Sequence, residues 1–422
     1  MLSLFFKAVL GIPRIFHFST LHDAGLAILT GGRRVLSRNR FGSLLRQVSL
    51  RSVEKLRRKS EPHLPRRDLH TVSIDEHTIP RFTRKFQIKK GYHTIRNKHM
   101  PVEKLTFSFH VSLRALLSLV VSPGDAKLTD LAKLLLQRLR ARLSGAPVCV
   151  LLDAGAAKNT HALLSLTDAK KQVTLVRAPR RPHYVAAWKR IPDGAWQRLE
   201  EPGPFVAAPP KIIHLTETVT SLTDARSPQK RTVHVRTLVV REHSRRGPQK
   251  DRWHALWVFG DEKTPAYELV QRFRQRQHHE QRHRILLHDA FVDAAPSGYD
   301  KRSTDPKRPR FSPGALALYA WLCGHATDVL DRLSARLPER FRHAHPRTLR
   351  RFLFAQPGEL YLLGPDRLLV VLHATRLRPL WQALLTRLNR DPVRIPWLQN
   401  RKLVLNLAPK NPRPFQHTST IP

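Results

Sequence analysis

The sequence contains almost no cysteine and comparatively few acidic residues. Only Cys149 and Cys323 occur among 422 residues. Neither a disulfide framework nor a cysteine zinc site is therefore supported, and a reducing cytoplasm fits. Lys plus Arg number 75 and Asp plus Glu 32, a formal charge of +43. Such an excess repels itself unless a polyanion binds, so we expect DNA or RNA as the partner. A basic ribosomal or chromatin-type protein is the alternative that composition alone leaves open.

Long apolar runs are also absent. The best candidate, MLSLFFKAVLGIPRIFHF, is interrupted by Lys7, Pro13 and Arg14, whereas a membrane span needs roughly 18 apolar residues. We therefore expect no membrane association. The segment is acid-poor and amphipathic, as a mitochondrial transit peptide would also be. Because the apolar pattern continues beyond residue 20, a helical element of an N-terminal DNA-binding region is the favoured interpretation.

Three of the few acidic residues stand out by their position. Asp75 in HTVSIDEHTIP and Asp153 in VCVLLDAGAA end apolar β-like runs, and Glu280 in RQRQHHEQRH follows a basic helical stretch. Three convergent carboxylates would bind a divalent metal, and their hard oxygens suit Mg²⁺ or Mn²⁺. Metal and positive charge together indicate phosphodiester chemistry on nucleic acid. Taken singly, Asp75 also fits a strand-end turn, Asp153 a helix N-cap, and Glu280 a solvated helix position.

The order of the predicted elements indicates a ribonuclease-H-like core. Three strands, LHTVSID, KFQIKKGYHTI and KLTFSFHVSL, follow one another through short connections, which favours antiparallel pairing. An amphipathic helix over 129–143, the buried strand PVCVLLDAG, a helical stretch over 160–168 and the strand KQVTLVRA come next. In such a core the first and fourth strands lie side by side, so Asp75 and Asp153 are predicted to be neighbours.

The predicted fold class is α/β: a ribonuclease-H-like mixed-sheet core with a β-rich insertion and flanking helical regions. A helical, basic, DNA-binding region is expected over 1–68, and the first part of the core over 69–204. The β-rich insertion is placed at 205–263 and the core helix with the acidic residue at 264–298. A helical and basic region follows over 299–422. The core helix is predicted to begin near Pro265 and to carry Glu280 three to four turns in.

Several blocks resemble the DDE transposases of bacterial insertion sequences, in the group with a β-strand insertion before the catalytic Glu. SIDEHTIPRF followed by KKGYHTIRNKHM resembles the first-Asp block, VLLDAGAA the second, and the stretch around Glu280 the third. RTLRRFLFAQPGEL and IPWLQNRKLVLNLA resemble the downstream region, so the likeness covers about 69–405. Asp153 lies 78 residues after Asp75 and Glu280 lies 127 residues after Asp153, which leaves room for the inserted strands.

The resemblance implies both an activity and a set of site residues. Asp75, Asp153 and Glu280 would be the catalytic residues and would hold two divalent metals, Mg²⁺ or Mn²⁺. The enzyme would cut double-stranded DNA at inverted-repeat ends and transfer the freed strand to target DNA, as a homodimer in the bacterial cytoplasm. A related nuclease without strand transfer and a DNA-binding descendant without activity are the alternatives.

The third motif departs from the family pattern. The family has Tyr, two residues, Arg, three residues, Glu, six residues and Lys. This chain has Phe273, Arg276, Glu280 and Leu287 at those positions. The Tyr hydroxyl and the Lys ammonium are therefore missing, and with them two contacts that the family would make to DNA phosphate.

The same stretch also matches a zinc motif. His279, Glu280 and His283 fit H-E-x-x-H, in which two histidines on one helix face bind Zn²⁺ and the Glu acts as general base. Arg282 places a cation between the two ligands, and no third-ligand block follows. A zinc metallopeptidase is therefore kept only as a remote alternative.

Arginines crowd the predicted core helix, at positions 272, 274, 276, 282 and 284. Because like charges at this spacing destabilise a helix, a phosphate partner is expected to relieve their repulsion. The side chains expected to contact DNA are Arg272, Arg276, Arg284, Lys89 and Lys90. Trp253 and Trp257 are expected to pack within the sheet, with stacking on an unpaired base as the alternative.

Overall fold

The computed structural model describes residues 1–409 except 21, 22, 62, 63, 66, 83–86, 94, 144, 168–170, 202–210, 227–229, 244–250, 300–304, 309, 343 and 374–376. Within these residues, no helix is long and apolar enough to cross a membrane. The chain divides into two compact units. One comprises 48–284 and 295–321, and the other comprises 1–47, 285–294 and the residues from 322 onward.

The described helices are α1 Leu2–Leu10, α2 Ala24–Leu29, α3 Arg38–Gln47, α4 Leu50–Ser60, α5 Leu128–Leu143, α6 Thr160–Thr167, α7 Pro182–Lys189, α8 Ala266–Arg274, α9 Gln277–His288, α10 Gly314–Ala335, α11 Pro346–Leu349 and α12 Arg378–Arg390. The strands of the larger unit are β1 His70–Pro80, β2 Lys90–His93, β3 Lys98–His110, β4 Ala115–Pro123, β5 Val148–Leu152, β6 Gln172–Arg177, β7 Gln197–Glu201, β8 Lys211–Thr223, β9 Thr232–Glu242 and β10 Arg252–Phe259. Those of the smaller unit are β11 Gly358–Leu363, β12 Arg367–Leu372, β13 Arg394–Ile395 and β14 Arg401–Leu407.

The larger unit contains one mixed sheet whose centre has the ribonuclease-H-like strand order. Strand β4 pairs with β3, β3 runs antiparallel to β1, and β1 is parallel to β5, which is parallel to β6. Helix α5 connects β4 to β5, and α6 connects β5 to β6. The predicted fold class is confirmed, as is the pairing of the first core strand with the fourth.

The buried strand β5 shows why the centre of the sheet is stable. All five of its residues, VCVLL, are buried. Val148, Val150 and Leu152 belong to the apolar cluster that includes α5 on one sheet face. Cys149 and Leu151 belong to the cluster that includes α8 on the other face. A strand covered on both faces needs apolar residues at every position, and the sequence supplies them.

The strands of the predicted insertion extend this same sheet. Strand β10 pairs antiparallel with β6, and β9, β8 and β7 follow in order toward the edge. Trp257 is buried in the core cluster, and the Trp253 ring lies edge-on to Trp196 at 5.5 Å between centroids. Both tryptophans therefore pack within the sheet, as predicted.

The predicted order of the first strands needs correction. Within the run KFQIKKGYHTI, the residues that the structure describes form the four-residue β2, a side strand paired with the start of β3; residues 85, 86 and 94 of the run lie outside the described part. The third core strand is instead β4, within LRALLSLVVSP, which the sequence interpretation did not assign. It was hidden because β3 and β4 are joined by a very short turn in which Arg114 has a positive φ of 49°, so the two strands appear in the sequence as a single long apolar run.

The smaller unit has its own sheet and core. Strands β11, β12, β14 and β13 form a four-stranded sheet in that order. A separate apolar cluster contains Leu337, Phe341, Leu349 and Leu353. Arg350 donates to the Ala8 and Val9 carbonyls at 2.8 and 2.7 Å, which satisfies two acceptors near the end of α1.

A buried histidine pair in β1 and β3 makes stability depend on pH. His110 Nδ1 accepts from the Leu113 backbone N–H at 3.3 Å, and its Nε2 lies 3.1 Å from His70 Nδ1. Burial lowers the pKa of His110 to about 4, with the neighbouring charge of His70 as a further cause. His110 is therefore neutral in the folded protein over most of the acidic range.

We expect this pair to weaken the fold as the pH falls. Below about pH 6.5 the unfolded chain binds a proton at position 110 that the folded protein refuses until about pH 4. About 3 kcal/mol of stability is therefore lost over that window. Urea unfolding of His110→Gln at several pH values should show a smaller loss than the wild type. His99→Gln, at an exposed histidine of the same strand, should behave like the wild type, and an equal loss in all three proteins would contradict the assignment.

Candidate active site

Two of the predicted carboxylates lie where the parallel pairing of β1 with β5 ends, although Asp75 does not end its strand as predicted, because β1 continues to Pro80 alongside β3. Ile74 of β1 is paired with Leu152 of β5. Asp75 follows Ile74 within the longer β1, and Asp153 follows the last residue of β5. Because both strands run in the same direction, their next residues emerge at the same edge of the sheet. The register thus brings together two residues that are 78 positions apart in the chain.

A single arginine joins these two carboxylates to Glu280. Arg276 Nη2 lies 2.7 Å from Asp75 Oδ2 and 3.7 Å from Asp153 Oδ2. Its Nη1 lies 2.8 Å from Glu280 Oε1. The Arg276 side chain is only 6% exposed, whereas that of Glu280 is 53% exposed. The three predicted site carboxylates therefore surround one buried guanidinium.

The position of Arg276 depends on a break in the predicted core helix. Instead of one helix from Pro265 through Glu280, the chain forms α8, which begins after the N-cap Pro265, and then α9. Arg276 lies in the turn between them, and Glu280 lies in the first turn of α9 rather than three to four turns into a helix. A carboxylate in the first turn is favoured by the helix dipole. The Arg276–Glu280 contact has the i, i+4 spacing at which helical side chains meet.

The remaining carboxylate oxygens differ in their surroundings. Asp75 Oδ1 accepts from the Glu76 backbone N–H at 2.8 Å. Asp153 Oδ1 is buried and has no hydrogen-bond partner among the described residues. A buried acceptor without a donor costs free energy, so a further cation or donor at this oxygen would stabilise the site.

The next residue of β1 adds a fourth acidic group. Glu76 is paired with the Lys104 ammonium at 3.0 Å. Burial raises the pKa of Glu76, against the opposing charges of Lys104 and Lys158. The carboxylates at this edge of the sheet are thus each held by a named cation.

These residues fit a divalent metal by their chemistry. Three carboxylates, whose hard oxygens suit such a metal, contact the same guanidinium. Asp153 Oδ1 accepts no hydrogen bond from the described residues and is available as a ligand. The spacing of the three carboxylates, however, is set by the guanidinium. In the described part of the chain no three His, Cys, Asp or Glu side chains are close enough to hold a metal ion. A metal held by Asp75, Asp153 and Glu280 therefore requires Arg276 to leave.

The zinc motif does not form a zinc site. His279 Nδ1 lies 2.6 Å from Ser73 Oγ, and its buried ring lies edge-on to Phe109 at 4.6 Å between centroids. Burial lowers the pKa of His279 well below its ordinary value. The His283 ring contacts His77 and Phe107 edge-on. Both histidines are thus packed against β1 and β3, and the described residues offer no three-ligand group around them.

The predicted DNA-contacting residues differ in exposure. Lys89, Lys90 and Arg284 are exposed. Arg272 is paired with Glu268 at 2.6 Å, and Arg276 is buried among the carboxylates. The expected repulsion is therefore relieved within the protein at those arginines that pair with carboxylates. Arg274 adds a contact to Glu242 at 3.3 Å, and Arg282 donates to the Arg114 carbonyl.

The two residues that depart from the family's third motif, Phe273 and Leu287, are both half-buried. Phe273 is half-buried and packs against the apolar cluster between α8 and the sheet. Leu287 is half-buried in α9.

The sequence analysis predicted Arg276 to be a DNA contact and did not identify it as the cation that bridges the carboxylates. The signal was present in the four-residue spacing from Arg276 to Glu280.

No protein-family model matches this chain, and no curated protein matches it in sequence. Among solved structures, the chain is similar to piggyBac transposase in a synaptic complex with hairpin DNA. The two share 13% sequence identity, and the likeness covers 90% of this chain and 73% of that chain, with a TM-score of 0.39.

We expect removal of the bridging cation to destabilise the protein. In Arg276→Met, three carboxylates would face one another without their shared counter-ion, so the free energy of unfolding should fall by about 2 kcal/mol. Arg272→Met serves as the matched control. It removes an arginine from the neighbouring helix whose partner Glu268 is 57% exposed, so the cost should be below about 1 kcal/mol. Equal losses in urea unfolding would show that Arg276 is not the central charge.

Proposed function

We propose that this protein is a metal-dependent DNA-cleaving and strand-transferring enzyme, a DDE transposase of the insertion-sequence type. The observation that supports the proposal most strongly is the convergence of Asp75, Asp153 and Glu280 on one guanidinium. Two of these carboxylates directly follow the last paired residues of the adjacent parallel strands β1 and β5 in a ribonuclease-H-like sheet. The third comes from a helix far along the chain, so three separate segments supply one acidic site.

In this proposal Asp75, Asp153 and Glu280 hold two Mg²⁺ or Mn²⁺ ions. Such ions, when bound, activate a water molecule and stabilise the leaving oxygen of the phosphodiester. The residues of this chain orient the ions, and Arg276 is free to contact phosphate once it leaves the carboxylates. The excess positive charge attracts double-stranded DNA, both the inverted-repeat ends and the target. A homodimer would hold two ends together in the cytoplasm of a bacterial cell.

Two alternatives share the same site. A nuclease with this fold would cut DNA without joining it to a target. A descendant without activity would only bind DNA, and the replacements Phe273 and Leu287 in the third motif favour this possibility. Incubation of a labelled donor end with supercoiled plasmid separates the three, since joined products, cut products alone or bound DNA alone would appear.

We predict that each site carboxylate is needed for cutting but not for binding. Asp75→Asn, Asp153→Asn and Glu280→Gln should each lower Mg²⁺-dependent nicking of DNA by at least about a hundredfold. Salt-sensitive DNA binding should change little, because it rests on Lys and Arg contacts to phosphate. Plasmid nicking and gel-shift assays measure the two effects on the same preparations.

Glu268→Gln is the matched control for these variants. It neutralises a carboxylate on α8 that is also paired with an arginine, and it should nick like the wild type. Retained nicking in the Asp75 or Asp153 variant would refute the catalytic assignment. Loss of a stoichiometric Zn²⁺ and of peptidase activity in His279→Ala would instead favour the zinc alternative.

A further inference from the structure

Two exposed aromatic rings lie among cations, one on the hairpin formed by β2 and β3 and one at Phe82, which precedes that hairpin. The Tyr92 side chain, on the outer face of β2, is 37% exposed, and Phe82 is 72% exposed. The Lys158 ammonium lies 5.4 Å from the centre of the Tyr92 ring, and the Arg96 guanidinium lies 4.8 Å from that of Phe82. We name Phe82, Lys90, Tyr92, Arg96, Lys98 and Lys158 the hairpin patch.

The hairpin patch lies beside the proposed active site. Lys158 ends the short 3-10 helix Ala156–Lys158, which begins three residues after Asp153. The Lys158 charge also acts on Glu76, the neighbour of Asp75 in β1. One cation thus stands between the Tyr92 ring and the acidic edge of the sheet.

The hairpin is held firmly in place. Gly91 and Gly124 pack so closely that a Cβ on Gly91 would lie 2.4 Å from the Gly124 carbonyl oxygen, and one on Gly124 would lie 2.5 Å from that of Lys89. Tyr92 is paired across the hairpin with His99, with 5.5 Å between ring centroids, and its hydroxyl donates to Asn97. The Tyr92 ring is therefore presented to solvent in a fixed orientation.

The chemistry of the patch fits one class of ligand. Lys90, Arg96, Lys98 and Lys158 can contact phosphate oxygens, whereas the nearby acidic groups include Asp125, 4.0 Å from Lys89, and Glu76, on which the Lys158 charge acts. Exposed rings among such cations bind unpaired bases by stacking, which every base permits. Within a duplex the base faces are already stacked on one another and cannot reach a protein ring. The combination therefore favours a single strand over a duplex and a nucleic acid over a protein.

We propose that the hairpin patch binds unpaired nucleotides of the DNA strand next to the cleavage site, with bases stacked on Tyr92 and Phe82. This inference rests on the proposed function for its choice of DNA. The protein would then distinguish frayed or single-stranded DNA from intact duplex through the Tyr92 and Phe82 rings.

A binding experiment without divalent metal tests this site separately from catalysis. Full-length protein is titrated with a blunt duplex and with the same duplex bearing a short single-stranded 3′ extension that contains 2-aminopurine. The ionic strength is kept equal, because phosphate contacts depend on salt. We expect the extended duplex to bind roughly tenfold more tightly and its 2-aminopurine fluorescence to be quenched.

Single substitutions test whether the Tyr92 and Phe82 rings bind the unpaired bases. Tyr92→Ala and Phe82→Ala should each bring the affinity ratio toward one, whereas Tyr92→Phe should keep it, since the ring remains. Tyr361→Ala is the control, because Tyr361 of β11 is 38% exposed and its hydroxyl contacts Glu359 rather than a cationic patch. It should leave the ratio unchanged. Thermal melting of each variant confirms that the protein folds, and exposed Phe82 tolerates replacement even if Tyr92→Ala unfolds.

Three results would overturn the proposal: a wild-type ratio of one, an unchanged ratio in both alanine variants, or the same loss in Tyr92→Phe as in Tyr92→Ala. The last would assign Tyr92 to hairpin packing. Failure of the proposed function would show differently, as absent Mg²⁺-dependent nicking with the ratio intact.

Discussion

The contact of one guanidinium with three carboxylates holds the acidic edge of this protein together. The register of β1 and β5 brings Asp75 and Asp153 together, and Glu280 joins them from α9, so three carboxylates of like charge share one place. Arg276 contacts them from a nearly buried position, with donors directed at all three. The turn between α8 and α9 exists at the residue where this contact is made, so the local backbone and the charge arrangement support each other.

The centre of the fold follows from the sequence because its signals are local and strong. A strand buried on both faces must be continuously apolar, and VCVLL of β5 is. An amphipathic helix with leucines on one face must pack against such a strand, and α5 does. With β5 and α5 placed, the short connections among the preceding strands leave β1 as the parallel partner of β5. Asp75 is then expected to lie close to Asp153.

What the sequence does not reveal depends on tertiary contacts. Strand β4 follows β3 after a turn formed by Arg114 at positive φ, and neither Gly nor Pro marks that turn. The break after α8 has no marker either, because Gln275 and Arg276 are ordinary helix formers. The break coincides with a contact to distant parts of the chain, because Arg276 in this turn pairs with Asp75 and Asp153. The crowding of arginines on the helix predicted a repulsion that a phosphate partner would relieve. In the structure, Glu268 and Glu242 pair with two of these arginines.

The net charge constrains what this acidic edge can do. Pairing every acidic residue with a cation inside the protein would still leave the formal excess of 43 positive charges. Internal ion pairs therefore cannot replace a polyanionic partner. At the acidic edge the balance is reversed, because three carboxylates and one guanidinium carry two net negative charges. In the proposed function, a phosphate drawn in by the surrounding positive charge would be repelled at this edge until cations bind there. Two divalent cations would change the sign of the local charge, whereas Arg276 alone cannot. If the protein acts on DNA as proposed, this arrangement would make the approach of the DNA backbone depend on metal.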